Sequence, residues 1–178
     1  MGLEQVTVAA EDTFSNNAEI DSWHNLAMHG LTNGLGAVSK KPGPTDLSEL
    51  NFYTGAVGVL NKIKKSMYAH ILGRDNPKLT PLNKIIEGSL EHRFTTQQEI
   101  DGWYERVLDG LSRGVASVVR KGGLRAFNEA EKGKHIYKQT LDVLNNVRRS
   151  MYVAVLEQEP AAPVAYHEMV MRYVKTSY

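Results

Sequence analysis

The apolar positions of this chain advance in steps of three and four, and they do so twice. Ile20, Trp23, Ala27, Leu31, Leu35 and Val38 form one stripe, and Ile100, Trp103, Val107, Leu111, Val115 and Val118 form its counterpart. A second stripe runs through Tyr53, Ala56, Leu60, Ile63, Met67 and Ile71, with Tyr137, Thr140, Leu144, Val147, Met151 and Val155 as its match. This spacing places side chains on one face of an α-helix. Capping pairs fit the same division. Asn16 with Glu19 and Thr96 with Glu99 start the first helix of each pair, and Asp46 with Glu49 and Asn128 with Glu131 start the second. Basic residues and breakers close the first helices: Lys40-Lys41 before Pro42-Gly43-Pro44, and Arg120-Lys121 before Gly122-Gly123. Gly73 is a C-terminal cap after Leu72.

The residues themselves repeat. Glu19-Ile20-Asp21-Ser22-Trp23 recurs as Glu99-Ile100-Asp101-Gly102-Trp103, and Lys64-Lys65-Ser66-Met67-Tyr68 recurs as Arg148-Arg149-Ser150-Met151-Tyr152. Two tandem copies of one unit are therefore present. A lone hairpin of helices about 20–25 residues long cannot bury its stripes. The economical solution is an all-α fold, in which tandem duplicated helical hairpins form a pseudo-twofold four-helix bundle. The expected layout is a weakly patterned segment 1–15, a first hairpin 16–73, a connector 74–94, a second hairpin 95–159, and a linker and C-terminal arm 160–178, all in one compact domain. The connector carries a short helix from about Pro81 to His92, with Pro81 at its first position. The arm places Tyr166, Met169, Val170, Tyr173 and Val174 on one face. It is too short to fold alone and must dock on the bundle, a neighbouring subunit or a partner.

Composition narrows the chemistry. Among 178 residues there is no cysteine, so disulfides, thiolate nucleophiles and cysteine metal sites are excluded. A formal charge of +1 gives no global attraction to nucleic acid or to an anionic membrane. No apolar run approaches the roughly 18 residues of a membrane span, and the start of the chain lacks a secretory layout. Met1-Gly2 opens like a myristoylation signal, but Val6 stands where that motif needs Ser or Thr. The expectation is a cytoplasmic protein, or one assembled into a particle inside a cell. Catalytic motifs are missing. None of the histidines forms a metal-protease pair, Glu91-His92 point to different helix faces, and there is no nucleophile elbow or phosphate loop. The reading is therefore non-enzymatic, with no cofactor and no metal.

Three sets of residues remain as candidates. Gly30, Gly34, Gly110 and Gly114 sit at matched helical positions, where each glycine is about 1 kcal/mol worse than alanine, so they imply close backbone approach. That approach serves either packing between the two first helices or a tight crossing at a subunit interface or beside a flat ligand. Trp23 and Trp103 either seal the bundle or act as interface anchors, with Tyr166, Met169 and Tyr173 of the arm as further interface candidates. Lys64, Lys65, Tyr68, Arg148, Arg149 and Tyr152 are candidate ligand-binding residues, because basic donors beside tyrosines suit small anions. The alternative for them is a solvated basic face with half-buried tyrosines.

The pattern Trp23-x-x-Leu26-Ala27-x-x-x-Leu31-x-x-Gly34-Leu35-x-Ala37-Val38 resembles one helix of the phage proteins that sequester cyclic oligonucleotide signals. The resemblance covers under a seventh of the chain and carries over no residue role. It implies a nucleotide-sequestering role as one possibility. Two function classes follow. The first is a non-enzymatic assembly or adaptor protein acting through a protein partner or self-association, such as a small virion or connector component of a phage. The second is a binder or sequestering protein for a small anionic ligand such as a nucleotide. The second predicts that the basic-Ser-Met-Tyr elements converge on a pocket.

Overall fold

The computed structural model describes residues 5–39 and 47–177. It is mostly helical. Four long helices, α1 (Asn17–Ser39), α2 (Leu47–Met67), α4 (Gln97–Glu131) and α5 (Ile136–Leu156), share one core. Two short helices, α3 (Leu82–Ser89) and α6 (Tyr166–Met171), flank them. The only strands among the described residues are β1 (Gln5–Thr7) and β2 (Lys175–Ser177), which pair antiparallel with Val6 opposite Thr176.

The predicted stripes form the core, except that their last members, Ile71 and Val155, are half-buried at its margin. Ile20, Leu31, Tyr53, Leu60, Ile63, Met67, Ile100, Leu111, Tyr137, Leu144 and Met151 are fully buried. Burying one such aliphatic side chain contributes roughly 1.5–3 kcal/mol. Both first helices start where their caps stand. The Glu19 amide donates to Asn16 Oδ1 at 3.0 Å, and the Thr96–Glu99 capping box closes in both directions. Multiple donors from Thr95 and Thr96, the Thr95 backbone amide foremost, hold the Glu99 carboxyl below its usual range.

The second hairpin departs from expectation. α5 begins at Ile136, not near Asn128, and Asn128 and Glu131 occupy the last turns of α4. Gly123 breaks the helical path with φ 77°, yet helix resumes at once because Phe127 and Ala130 find burial there. Glu131 still caps α5, but from a distance: its Oε1 accepts the Tyr137 amide at 2.6 Å. The connector helix lies within its predicted bounds, with Pro81 at the N-cap, one place before the first helical residue. Gly73 is the left-handed cap after Leu72, with φ 63°. Between Met67 and Gly73 the helix widens into a π turn, Tyr68–Leu72. The Lys40-Lys41 end and the Pro42-Gly43-Pro44 breaker lie outside the described residues, as do Met1-Gly2, Asp46 and the Glu49 side chain.

α3 packs on α1, and α6 packs on α4. Ile85 of α3 and Met169 of α6 are the buried anchors. Ser112 Oγ donates to the Met169 carbonyl at 2.8 Å, while Gly88 lies against Thr32, the residue that matches Ser112 in the first copy. Each hairpin is thus followed by a short helix seated on its own first helix.

Candidate functional site

The two repeated motifs meet inside each unit. Asp21 accepts the Tyr68 hydroxyl at 2.5 Å and pairs with Lys64 at 3.4 Å. Asp101 accepts the Tyr152 hydroxyl at 2.5 Å and pairs with Arg148 at 3.4 Å. The same cations hold the chain that leaves the hairpin: Lys64 donates to the Lys78 carbonyl, and Arg148 to the Ala161 carbonyl. Arg148 is also sandwiched between the rings of Tyr104 and Tyr152, 4.7 and 5.1 Å from their centroids. Burial, and then the bond to the neighbouring carboxylate, push the Tyr68 and Tyr152 hydroxyls above the usual tyrosine range. These six side chains form two clasps. A second polar pair sits beside each one. His24 Nε2 donates to Asn61 Oδ1 at 3.1 Å, and Tyr104 donates to Asn145 at the matched place. Asn61 in turn bonds both the amide and the carbonyl of Thr80.

The glycine and tryptophan candidates form a reciprocal seam between the first helices. Trp23 lies on Gly110 and Trp103 on Gly30, leaving no room for a Cβ at either glycine. The indole of Trp23 donates to the Val107 carbonyl at 2.9 Å, and that of Trp103 to the Leu26 carbonyl at 3.1 Å. Gly34 admits Met151 and Tyr53, while Gly114 admits Met67 and Tyr137. Gly34 thus takes its methionine from the other unit, as does Gly114.

The arm candidates turn inward on their own chain. Tyr166 donates to Glu131 Oε2 at 2.6 Å, Met169 is buried, and Tyr173 donates to Asp109. Burial works to raise the Asp109 carboxyl. The Tyr173 and Arg113 donors, with the charges of Arg113 and Arg172, outweigh it and hold Asp109 below its ordinary value.

Of the six ligand-binding candidates, four are thus held in the clasps. Arg149 forms a two-pronged pair with Glu159 at 2.8 and 2.9 Å. Lys65 alone of the six lines a cleft, one of about 860 Å³ at the far end of α2. Around it stand Lys62 and Lys65 from α2, Arg74 from the connector, and Lys134 from the α4–α5 loop. Four cations face one carboxylate, Asp75, so these five side chains carry a net charge of +3. None of the four makes an ion pair with any described residue. Buried Ala130 and Ile136 give the cleft an apolar floor. The π turn carries Ala69 and His70 to its edge; widened turns of this kind are frequent at functional sites.

Lys62, His70, Arg74 and Lys134 were not among the sequence candidates. For three of them a signal existed in the internal comparison. Lys62, His70 and Arg74 match Asn146, Ala154 and Gln158 of the second copy, so these three lining residues are ones the copies do not share. Among the described residues no group of three or more His, Asp or Glu is placed to hold a metal ion, and no helix is long and apolar enough to cross a membrane. No protein-family model, curated protein or solved structure matches the chain.

Proposed function

We propose that this is a non-enzymatic binding protein for a small anionic ligand, held in the cleft at the end of α2. The observation that carries the reading is the set of four cations around one cleft with no carboxylate partner among the described residues. Cations brought together without counter-charges repel one another, and an anion in a partly enclosed site relieves that repulsion. The cleft volume lies within the roughly 300–1,000 Å³ of small-molecule sites. As a scaffold for it, we propose two units related by an approximate twofold axis and joined as a four-helix bundle. The reciprocal packing of Trp23 on Gly110 and Trp103 on Gly30 supports that relation. The assembly or adaptor reading draws less support, because the arm it invokes is engaged by Ser112, Glu131 and Asp109 of the same chain.

Thermal unfolding in sulfate, citrate and pyrophosphate at matched ionic strength tests the reading. At least one anion should raise the melting temperature of the native chain in a saturable way, since a ligand that binds only the folded state stabilises it. The rise should vanish in Lys65→Ala/Lys134→Ala. An equal rise in that variant, or none in the native chain, would sink the proposal.

A further inference from the structure

The duplication supplies an internal control on what the cleft is for. Residues shared by the two copies build the clasps: Asp21 and Asp101, Lys64 and Arg148, Tyr68 and Tyr152. Lys62 and Arg74, which the second copy does not share, join Lys65 and the second unit's Lys134 to build the cleft. At the matched place in the second copy, Val153, Glu157, Gln158 and Glu159 line a smaller and more open depression. There the counterpart of Lys65, Arg149, is already neutralised by Glu159. The α5 helix also ends without a π turn, at Glu157. Among the described residues, one of the two matched places thus gathers unpaired cations, while the other lacks two of the matched cationic positions and pairs a third.

The cations approach from three walls: Lys62 and Lys65 from α2, Arg74 from the connector, Lys134 from the loop before α5. A planar carboxylate is satisfied by one guanidinium fork in its own plane. A phosphoryl group carries about −1.5 to −2 charges and three acceptor oxygens that point in different directions, so it uses donors on several sides. The cleft is also far larger than a bare phosphate needs, and its floor at Ala130 and Ile136 is apolar. No Phe, Tyr or Trp ring lines it, and the His70 imidazole stands at its edge, so little is present for a base to stack on. We infer that the cleft binds one phosphorylated small molecule per chain, its phosphoryl group among Lys62, Lys65, Arg74 and Lys134 and its apolar part against Ala130 and Ile136. This rests on the anion-cleft reading above and narrows it to one ligand class and one site.

The test is a titration of the ¹⁵N-labelled full chain, followed by amide shifts, with phenyl phosphate, inorganic phosphate and phthalate at fixed ionic strength. Phenyl phosphate should saturate at one per chain and move the amides of Lys65, Arg74, Lys134 and Ile136. It should bind at least tenfold more tightly than phthalate and at least threefold more tightly than inorganic phosphate. The variant Lys62→Asn/Arg74→Gln carries the residues that the second copy holds at the matched positions. It should keep a native spectrum and bind phenyl phosphate at least tenfold more weakly. Equal binding of phthalate would overturn the phosphoryl class while leaving an anion cleft. Equal or tighter binding of inorganic phosphate would overturn the organic part. Two bound ligands, or an unchanged affinity in the variant, would overturn the single site. No saturable shift with any of the three would remove both this inference and the reading beneath it.

Discussion

The indole of Trp103 occupies the space that a side chain on Gly30 would need: an ideal Cβ there would stand 1.8 Å from Nε1. Gly110 meets Trp23 in the same way, at 1.9 Å from Cδ1. Neither ring can retreat without breaking its hydrogen bond to Leu26 or Val107. Overpacking of this kind costs about 1–3 kcal/mol, and the lost indole bond adds to it. Gly30→Ala and Gly110→Ala should therefore each destabilise the fold by about 3 kcal/mol in urea unfolding. Gly55, exposed on α2 with nothing within 4 Å, is the control. There Gly55→Ala should stabilise by about 0.5–1 kcal/mol, from helix propensity alone.

Asp101 accepts from Arg148 and Tyr152, and from Gln97 on the exposed side, and it is the only carboxylate paired with that guanidinium among the described residues. Arg148 is mostly buried, and its Nε already lacks a partner there. Asp101→Ala would leave a buried cation with only the Ala161 carbonyl and the tyrosine faces. A loss of about 2 kcal/mol is expected, since stranding a buried charge costs more than the pair contributes. Combining it with Arg148→Met should recover part of that loss in a double-mutant cycle. Additive losses would mean that the two side chains are not coupled.

Which parts were legible in the sequence follows from how far apart the interacting residues lie. Steps of three and four are local, so the stripes through Ile20 and Ile100 declared themselves, as did the caps at Asn16 and Thr96. Gly123 misled because a single left-handed residue can break a helix without ending it when Phe127 downstream finds a core site. The strands at Gln5–Thr7 and Lys175–Ser177 are three residues each, too short to show a period of two, and each exists only through the other. The basic-Ser-Met-Tyr element looked free because its aspartate lies 47 residues upstream of Tyr68. That aspartate was nevertheless in view, repeated within Glu-Ile-Asp at the same place in both copies. The cleft was hidden for the opposite reason. Attention to what the copies share passes over Lys62, His70 and Arg74, where they differ.

His24 should make stability fall with acid. It is fully buried, with Nε2 donating to Asn61, and burial followed by the nearby Lys64 charge pulls its pKa down to about 4, while Asp21 opposes the shift. The unfolded chain, with an ordinary histidine near 6.5, binds the proton first. The contribution is therefore complete above pH 6.5 and is lost as pH falls toward 4. Across that window it amounts to about 3 kcal/mol, at roughly 1.4 kcal/mol per pH unit. Urea unfolding from pH 7 to pH 4 should show this slope, and His24→Gln should flatten it. An unchanged slope would place the acid sensitivity elsewhere.

Tyr173 and Asp109 set how firmly the C-terminal arm is held. Asp109 also receives Arg113 at 2.8 Å, and Arg113 reaches on to the Glu11 carbonyl, so one carboxylate ties both ends of the chain to α4. Tyr173→Phe removes one hydrogen bond to a charged acceptor, about 1.5 kcal/mol, or roughly tenfold in a local opening equilibrium. Amide exchange at the β1–β2 pair should quicken by that factor, while exchange at Leu111 and Leu144 in the core stays as it was. The carboxyl is held below its ordinary value, so it contributes stability above the unfolded-chain carboxylate pKa, and that contribution is lost as pH falls through the lowered folded value.

Glu157 ends α5 in the left-handed region, at φ 53°, where Gly73 ends the matched stretch at φ 63°. The glutamate pays for a conformation that glycine adopts freely, at about 1 kcal/mol. Its amide still donates to the Val153 carbonyl at 3.2 Å, so the turn is needed whatever the residue. Glu157→Gly should therefore stabilise the chain by roughly 0.5–1 kcal/mol, less the larger backbone entropy that glycine brings to the unfolded state. Gly73→Ala should destabilise by a similar amount through the same strain, although nothing lies within 4 Å of the added methyl. Opposite signs at the two caps would tie both effects to backbone strain. A loss of stability in Glu157→Gly would show instead that the carboxylate contributes more at this helix end than the left-handed turn costs.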